Sequence, residues 1–110
     1  MKLRILESAK EDLIEGYHFY EERTPGLGTY FLDSLFSDID SLAIYAGIHA
    51  KVHGSHRLLS KRFPFAIYYS LYEDVILVRA VVDCRRRPSW IRKHLGNAGQ
   101  DESVRNFEAG

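Results

Sequence analysis

The sequence predicts an α+β domain in which two helices pack on one face of a small antiparallel sheet. Three observations support this prediction: amphipathic helical patterns within residues 8–45, strand-like apolar runs within residues 56–84, and short turns between the segments. Helices grouped before strands are typical of the α+β class. The 110 residues, 45% of them hydrophobic, suffice for one domain with a modest core.

The first half of the chain predicts a strand followed by a helical hairpin. Residues 3–6 ("LRIL") are a candidate strand, and Ser8 and Glu11 have the spacing of a capping box that opens the first helix. This helix is expected to present Asp12 and its other acidic residues to solvent. A turn rich in proline and glycine separates it from a second helix over residues 28–45, so the two should lie antiparallel.

The second half predicts a three-stranded antiparallel meander over residues 56–61, 63–72 and 75–84. The last of these strands is almost continuously apolar, which favours a central position in the sheet. In the middle strand, Tyr68 and Tyr72 alternate away from the main core and are candidates for contact with a partner.

A short helix is predicted to close the domain. Pro88 suits its first turn, His94 lies near its end, and Gly96 is the expected stop. The domain is therefore expected to span residues 1–96. Residues 97–110 are polar and lack periodicity, which predicts a disordered tail.

The formal net charge of zero conceals an asymmetry along the chain. Residues 1–50 carry −5, residues 51–95 carry +7, and the remaining residues carry −2. This pattern predicts a local positive patch rather than a general attraction to nucleic acid.

Nothing in the sequence predicts a membrane segment or a secretion signal. No stretch approaches the roughly 18–20 apolar residues of a membrane helix, and charges interrupt the N-terminal segment. The single cysteine, Cys84, has no partner for an internal disulfide. We therefore expect a cytoplasmic protein.

Three consecutive arginines follow the predicted central strand in "RAVVDCRRRPSW" (79–90). One interpretation is a solvated strand end whose arginine stems pack on Trp90. Another is a surface that meets an acidic protein segment or a phosphate. The residues assigned to such contacts are Arg85, Arg87, Trp90 and Arg92, with Arg86 between them.

The order of elements, together with "R-x-x-x-x-x-FPFAIYY" (57–69) and "AVVDCRRRP" (80–88), resembles the RelE/ParE superfamily of type II toxins over roughly residues 1–95. The resemblance implies a growth-arresting bacterial toxin of the plasmid-stabilisation type, neutralised by a cognate antitoxin. ParE-like members of the family poison DNA gyrase without known catalytic residues. RelE-like members cleave mRNA on the ribosome.

The resemblance to RelE-like sites implies which residues of this chain would act if it were a nuclease. Arg57, Lys61 and Arg86 would hold the phosphate, with Arg85 or Arg87 as a substitute for Arg86, and His94 would transfer protons. The list of candidate catalytic residues for a nuclease is therefore Arg57, Lys61, Arg86 and His94. Arg92 occupies the position where the family pattern has a tyrosine, which counts against cleavage.

We therefore expect a ParE-like toxin that binds DNA gyrase or another protein target. The alternatives are a metal-independent, RelE-like mRNA endoribonuclease and a non-toxic member that retains only antitoxin binding. No cofactor and no small-molecule substrate are expected. His49, His53 and His56 have a spacing that could suit a metal, but their loop setting favours exposed histidines over a metal site.

Overall fold

The computed structural model describes residues 1–98 and confirms the predicted α+β class. The described elements, in chain order, are β1 (Lys2–Ile5), α1 (Glu7–Arg23), α2 (Leu27–Asp40), α3 (Leu42–Tyr45), β2 (Lys51–Val52), β3 (Ser55–Leu59), β4 (Phe65–Tyr72), β5 (Val75–Asp83) and α4 (Pro88–Ala98). None of the helices in this part of the chain is long and apolar enough to cross a membrane.

The strands form one sheet in the order β1-β5-β4-β3-β2. β1 pairs with β5 in parallel, whereas the other neighbouring strands pair antiparallel. The predicted central position of the last strand is confirmed, because β5 lies between β1 and β4. The stretch predicted as a loose connection before the meander contains the short strand β2, which pairs with β3 as a hairpin.

The α1–α2 hairpin covers one face of the sheet and forms the main core with it. Glu21 holds the hairpin turn, because its carboxylate accepts hydrogen bonds from the backbone N–H groups of Gly26 and Gly28 at 2.9–3.1 Å. The buried residues of this core are Ala9, Leu13, Phe31, Leu35, Ile39, Leu42, Phe65, Ile67, Tyr69, Ile76, Val78 and Val81.

Gly16 allows the two helices to approach closely, so we expect Gly16→Ala to destabilise the fold. A Cβ atom there would lie 2.5 Å from the Phe31 ring, which is fully buried and cannot move aside. We expect a loss of about 1–3 kcal/mol in the free energy of unfolding, as is usual for an overpacked core. Urea unfolding monitored by circular dichroism measures this change.

Gly96→Ala is the matched control, because outside α4's own nearby backbone no atom of the described residues lies within 4 Å of the position of its Cβ. Alanine should stabilise α4 there by up to about 1 kcal/mol, since it is the better helix former. Equal losses in both variants would contradict the steric explanation.

The second face of the sheet is also covered, which the sequence did not indicate. Ile91 and Leu95 of α4 pack there on Ala66, Tyr68, Ala80 and Val82. Tyr68 is only 2% exposed, so the prediction that it could meet a partner is wrong. Tyr72 is half-buried beside a smaller cluster around Leu6, Val75 and Leu77.

Three predicted helix boundaries are wrong. Leu6 precedes α1 as its cap residue, and no side chain caps this end, so Ser8 and Glu11 form no capping box. The second helix is interrupted at Ser41 and continues as α3. Gly96 does not stop α4, which continues through Asn97 to Ala98. The rest of the predicted tail lies outside the described residues.

Candidate functional site

Helix α1 supplies polar partners for the part of β5 that extends beyond β1. The pairing of the two strands ends at Val78, which leaves the next backbone groups of β5 without a neighbouring strand on that side. The Ser8 hydroxyl donates to the carbonyl of Arg79 at 2.9 Å. One helical turn later, the Asp12 carboxylate accepts from the Val81 N–H at 2.9 Å. These bonds satisfy buried backbone groups that would otherwise be costly to leave unpaired.

The same carboxylate ties α4 to α1. His94 Nε2 lies 2.8 Å from one Asp12 oxygen and 3.1 Å from the other. Asp12 is only 8% exposed, so the prediction that it faces solvent is wrong. Burial raises the pKa of Asp12, while the Val81 N–H and His94 oppose that rise. Asp12 therefore joins three elements, α1, β5 and α4, through one buried carboxylate.

Arg86, Trp90 and His94 stack on one another along one side of α4. The Arg86 guanidinium lies 4.2 Å from the centroid of the Trp90 ring, a cation–π contact. The Trp90 and His94 rings are almost parallel, with centroids 4.8 Å apart. Trp90 and His94 lie one turn apart on the same face of α4, and Arg86 reaches the Trp90 ring from the segment just before the helix. The structure thus brings together three of the residues predicted from sequence.

A groove of about 330 Å³ runs between this stack and α1. Glu15 and Phe19 line it from α1, whereas Arg86 and Trp90 line it from the opposite side. Both aromatic rings are partly open to solvent, with Phe19 43% and Trp90 38% exposed. Among the described residues, the walls also carry three carboxylates, Asp12, Glu15 and Asp83, against the single Arg86 guanidinium. A groove with aromatic walls and charged groups is suited to protein recognition, because exposed tryptophan and arginine are common anchors of interfaces.

The three consecutive arginines have different surroundings. Arg85 is held by Asp83 through two side-chain hydrogen bonds of 2.7 and 2.9 Å, and this pairing lowers the pKa of Asp83. Arg86 stacks on Trp90, and Arg87 is exposed where α4 begins. The N-terminus of a helix carries partial positive charge, which adds to that of the arginines. The positive charge here therefore comes mainly from Arg86, Arg87 and the start of α4, because Asp83 neutralises Arg85.

The remaining predicted residues lie elsewhere. Arg57 is on β3, and its strand partner Tyr68 pairs in turn with Ala80, so all three side chains share the face that α4 covers. Ile91 and Leu95 of α4 pack on the same face.

Lys61 and Arg92 also lie apart from the stack. Lys61 follows β3, and its backbone N–H donates to Asp38 of α2 at 3.3 Å. Arg92 is exposed on α4 and lines a separate concavity near the C-terminal end of that helix. Lys61 and Arg92 therefore lie outside the stack. Arg57 is close enough to Cys84, just before the arginine run, for its charge to oppose the rise that burial causes in the pKa of that thiol.

The histidines of the predicted loop have contacts within the protein. His49 Nδ1 bonds to the Tyr69 hydroxyl at 2.5 Å, and the His56 ring stacks on the Tyr69 ring with centroids 5.0 Å apart. Burial and the neighbouring His56 both lower the pKa of His49. Within residues 1–98, no three histidine, cysteine or acidic side chains form a group that could hold a metal.

Sequence reasoning missed the residues that α1 contributes to the site: Asp12, Glu15 and Phe19. A signal for Asp12 was present, since it lies beside Leu13 and within one turn of Ala9 and Gly16, which are all buried. An acidic residue next to a buried stripe can turn inward when the adjoining strand offers an unpaired N–H group.

Comparison with solved structures shows a similarity in fold. No protein-family model matches the chain, and no curated protein matches it. Among solved structures, a chain described as "Chromosomal ParDE TA system from P. aeruginosa" matches with a TM-score of 0.69 and 20% sequence identity. The match covers 76% of this chain and 95% of that chain. The protein therefore shares its fold with a chain of a ParDE toxin–antitoxin system.

Proposed function

We propose that this protein is the ParE-like toxin of a type II toxin–antitoxin pair. It arrests growth in the cytoplasm by binding a protein target, for which DNA gyrase is the candidate, and a cognate antitoxin neutralises it. The fold shared with a chain of a ParDE system supports this proposal. The observation that carries it is the Arg86–Trp90 stack beside the groove, a partly exposed arginine and aromatic pair of the kind that anchors protein interfaces.

The geometry favours binding over RNA cleavage. Cleavage through the ribose hydroxyl requires cations and a proton acceptor around one phosphate. Arg57 lies on β3, whereas His94 meets Asp12 beyond the far edge of β5, and α4 packs over the intervening strands. Arg57 and His94 therefore come from different elements, β3 and α4, and His94 already bonds to a buried carboxylate.

The experiment that tests the proposal is induced expression of the chain without its antitoxin. It is followed by a supercoiling assay with purified gyrase and by primer extension on a translated mRNA. We expect growth arrest, inhibited supercoiling and intact mRNA. Codon-spaced cuts in the mRNA would instead establish the nuclease.

Two further outcomes separate the remaining possibilities. Arrest with normal supercoiling and intact mRNA would exclude gyrase as the target but retain a toxin. Absence of arrest, combined with binding to the product of the adjacent reading frame, would identify a non-toxic member that keeps only antitoxin binding.

A further inference from the structure

A β-bulge in β5 directs Arg79 toward α4. Tyr68 of β4 pairs with Ala80 and Tyr69 pairs with Val78, so Arg79 has no residue opposite it. In a regular strand, the consecutive residues Arg79 and Ala80 would point to opposite faces of the sheet. Because of the bulge, both lie on the face that α4 covers. Bulges that redirect a side chain are common next to binding sites.

The Arg79 guanidinium is half-buried, and its hydrogen-bond acceptors among residues 1–98 are neutral. One Nη donates to the Ser55 hydroxyl at 3.1 Å, and the other lies 3.4 Å from the Leu95 carbonyl near the end of α4. No acceptor from the same residues reaches its buried Nε. Within residues 1–98 no carboxylate forms an ion pair with Arg79. Such a cation loses hydration that the neutral acceptors only partly replace, so a bound anion would stabilise it.

Two concavities of about 260 and 390 Å³ adjoin Arg79, and cations line both. Lys51 lines the first and Arg92 lines the second, each together with Arg79 and one histidine. No aspartate or glutamate from the described part of the chain contributes to either wall. We call this surface the Arg79 notch. Positive groups with no acidic neighbour create a potential that attracts an anion.

We infer that the Arg79 notch binds a carboxylate side chain from an acidic peptide segment of a partner protein. Each concavity has the size of one or two side chains, and Leu71 and Leu95 provide apolar walls for the stem of a glutamate. A nucleic acid would instead require a continuous basic track, whereas this chain has a formal net charge of zero. The notch lies apart from the groove between α1 and α4, and the inference does not depend on the proposed function.

The test is a titration of the ¹⁵N-labelled full chain, followed by NMR. The probes are acetyl-hexaglutamate amide, the uncharged hexaglutamine analogue, inorganic phosphate and a hexathymidine oligonucleotide. We expect hexaglutamate to cause saturable shifts of the Arg79 Nε–H signal and of the Ser55 and Gly96 amides. Hexaglutamine should cause none of these shifts.

Lys51→Gln combined with Arg92→Gln should weaken hexaglutamate binding by about tenfold, because both side chains are exposed charges at the rim of the notch. Arg87→Gln is the control, since it removes an exposed arginine outside the notch and should leave the affinity unchanged. Shifts confined to Arg86 and Trp90, or equal losses in both variants, would overturn the inference.

The other probes decide the chemistry of the ligand. Saturation by phosphate or by hexathymidine at concentrations where hexaglutamate has no effect would overturn the assignment to a carboxylate. Growth arrest by the Lys51→Gln, Arg92→Gln variant reports on the proposed function separately, because the NMR titration requires no toxicity.

Discussion

Replacing Asp12 with alanine is expected to lower the free energy of unfolding by about 3 kcal/mol at neutral pH. The variant leaves the buried Val81 N–H without an acceptor and His94 without its partner. It also detaches α4 from α1, because the carboxylate links both helices to β5. Urea unfolding at constant ionic strength measures the loss.

Two variants separate the contributions to this loss. Glu11→Ala removes the adjacent but exposed carboxylate and should change stability by less than about 0.5 kcal/mol. Asp12→Asn keeps an oxygen that can accept from Val81 and should cost less than Asp12→Ala. If Glu11→Ala and Asp12→Ala had equal effects, the structural role of the buried carboxylate would be refuted.

The pH dependence provides a second test of Asp12. Burial raises its pKa above the ordinary value of 3.8, so the folded chain binds this proton more tightly than the unfolded chain. The resulting stability is fully present below pH 3.8 and is lost as the pH rises through the folded-state pKa. Asp12→Asn cannot titrate. We therefore compare the free energies of unfolding of the parent chain and of this variant. The parent value minus the variant value should fall as the pH rises through the folded-state pKa. A difference that does not change with pH would contradict the raised pKa.

The order of the elements could be predicted from sequence because it depends on local patterns. The apolar stripe of Phe31, Leu35 and Ile39 recurs at helical spacing, and all three residues are fully buried. The continuous apolar run of β5 likewise matches its central position in the sheet. Such patterns indicate which residues are buried, and this is enough to predict the helices and strands and their sequence along the chain.

The details of the site could not be predicted because they depend on contacts between distant segments. Ser8 has the spacing of a cap, yet its hydroxyl donates to Arg79, which is 71 positions away. Asp12 turns inward because β5 extends beyond β1, so the Val81 N–H has no neighbouring strand on the β1 side and donates to the carboxylate instead. The bulge at Arg79 changes which face of the sheet the following residues occupy. No residue type in β5 predicts that bulge.

The arginine run, residues 85–87, also has one property that could be predicted from sequence and one that could not. Its positive charge is visible in the sequence, but its members were equivalent there. In the structure, Arg85 is occupied by Asp83, Arg86 lies over Trp90, and Arg87 is exposed. Only the stacked arginine combines a fixed position with a place on the wall of the groove, so it is the member we expect to matter most.

If the chain is the toxin proposed above, Arg86→Ala combined with Trp90→Ala is expected to weaken binding of the proposed protein target by about 100-fold and to abolish growth arrest. Truncation of an arginine or tryptophan anchor commonly costs about 2 kcal/mol or more, and about 1.4 kcal/mol corresponds to a tenfold change in affinity. The two losses should not be fully additive, because each side chain positions the other. The measurements are the toxin concentration that half-inhibits gyrase supercoiling and the growth of cells that express the variant.

Arg87→Ala is the matched control, because it removes the same formal charge from an exposed neighbour. Trp90→Phe is the second control, since phenylalanine keeps an aromatic face for Arg86 and should retain most of the activity. Melting curves must show that the double variant is folded, because Trp90 also stacks on His94 and so supports the link between α4 and Asp12. A folded double variant that still arrests growth, or an equal loss in Arg87→Ala, would show that the positive charge at this end acts without the stack. Recognition would then be diffuse and electrostatic, and its strength should fall steeply as salt is added.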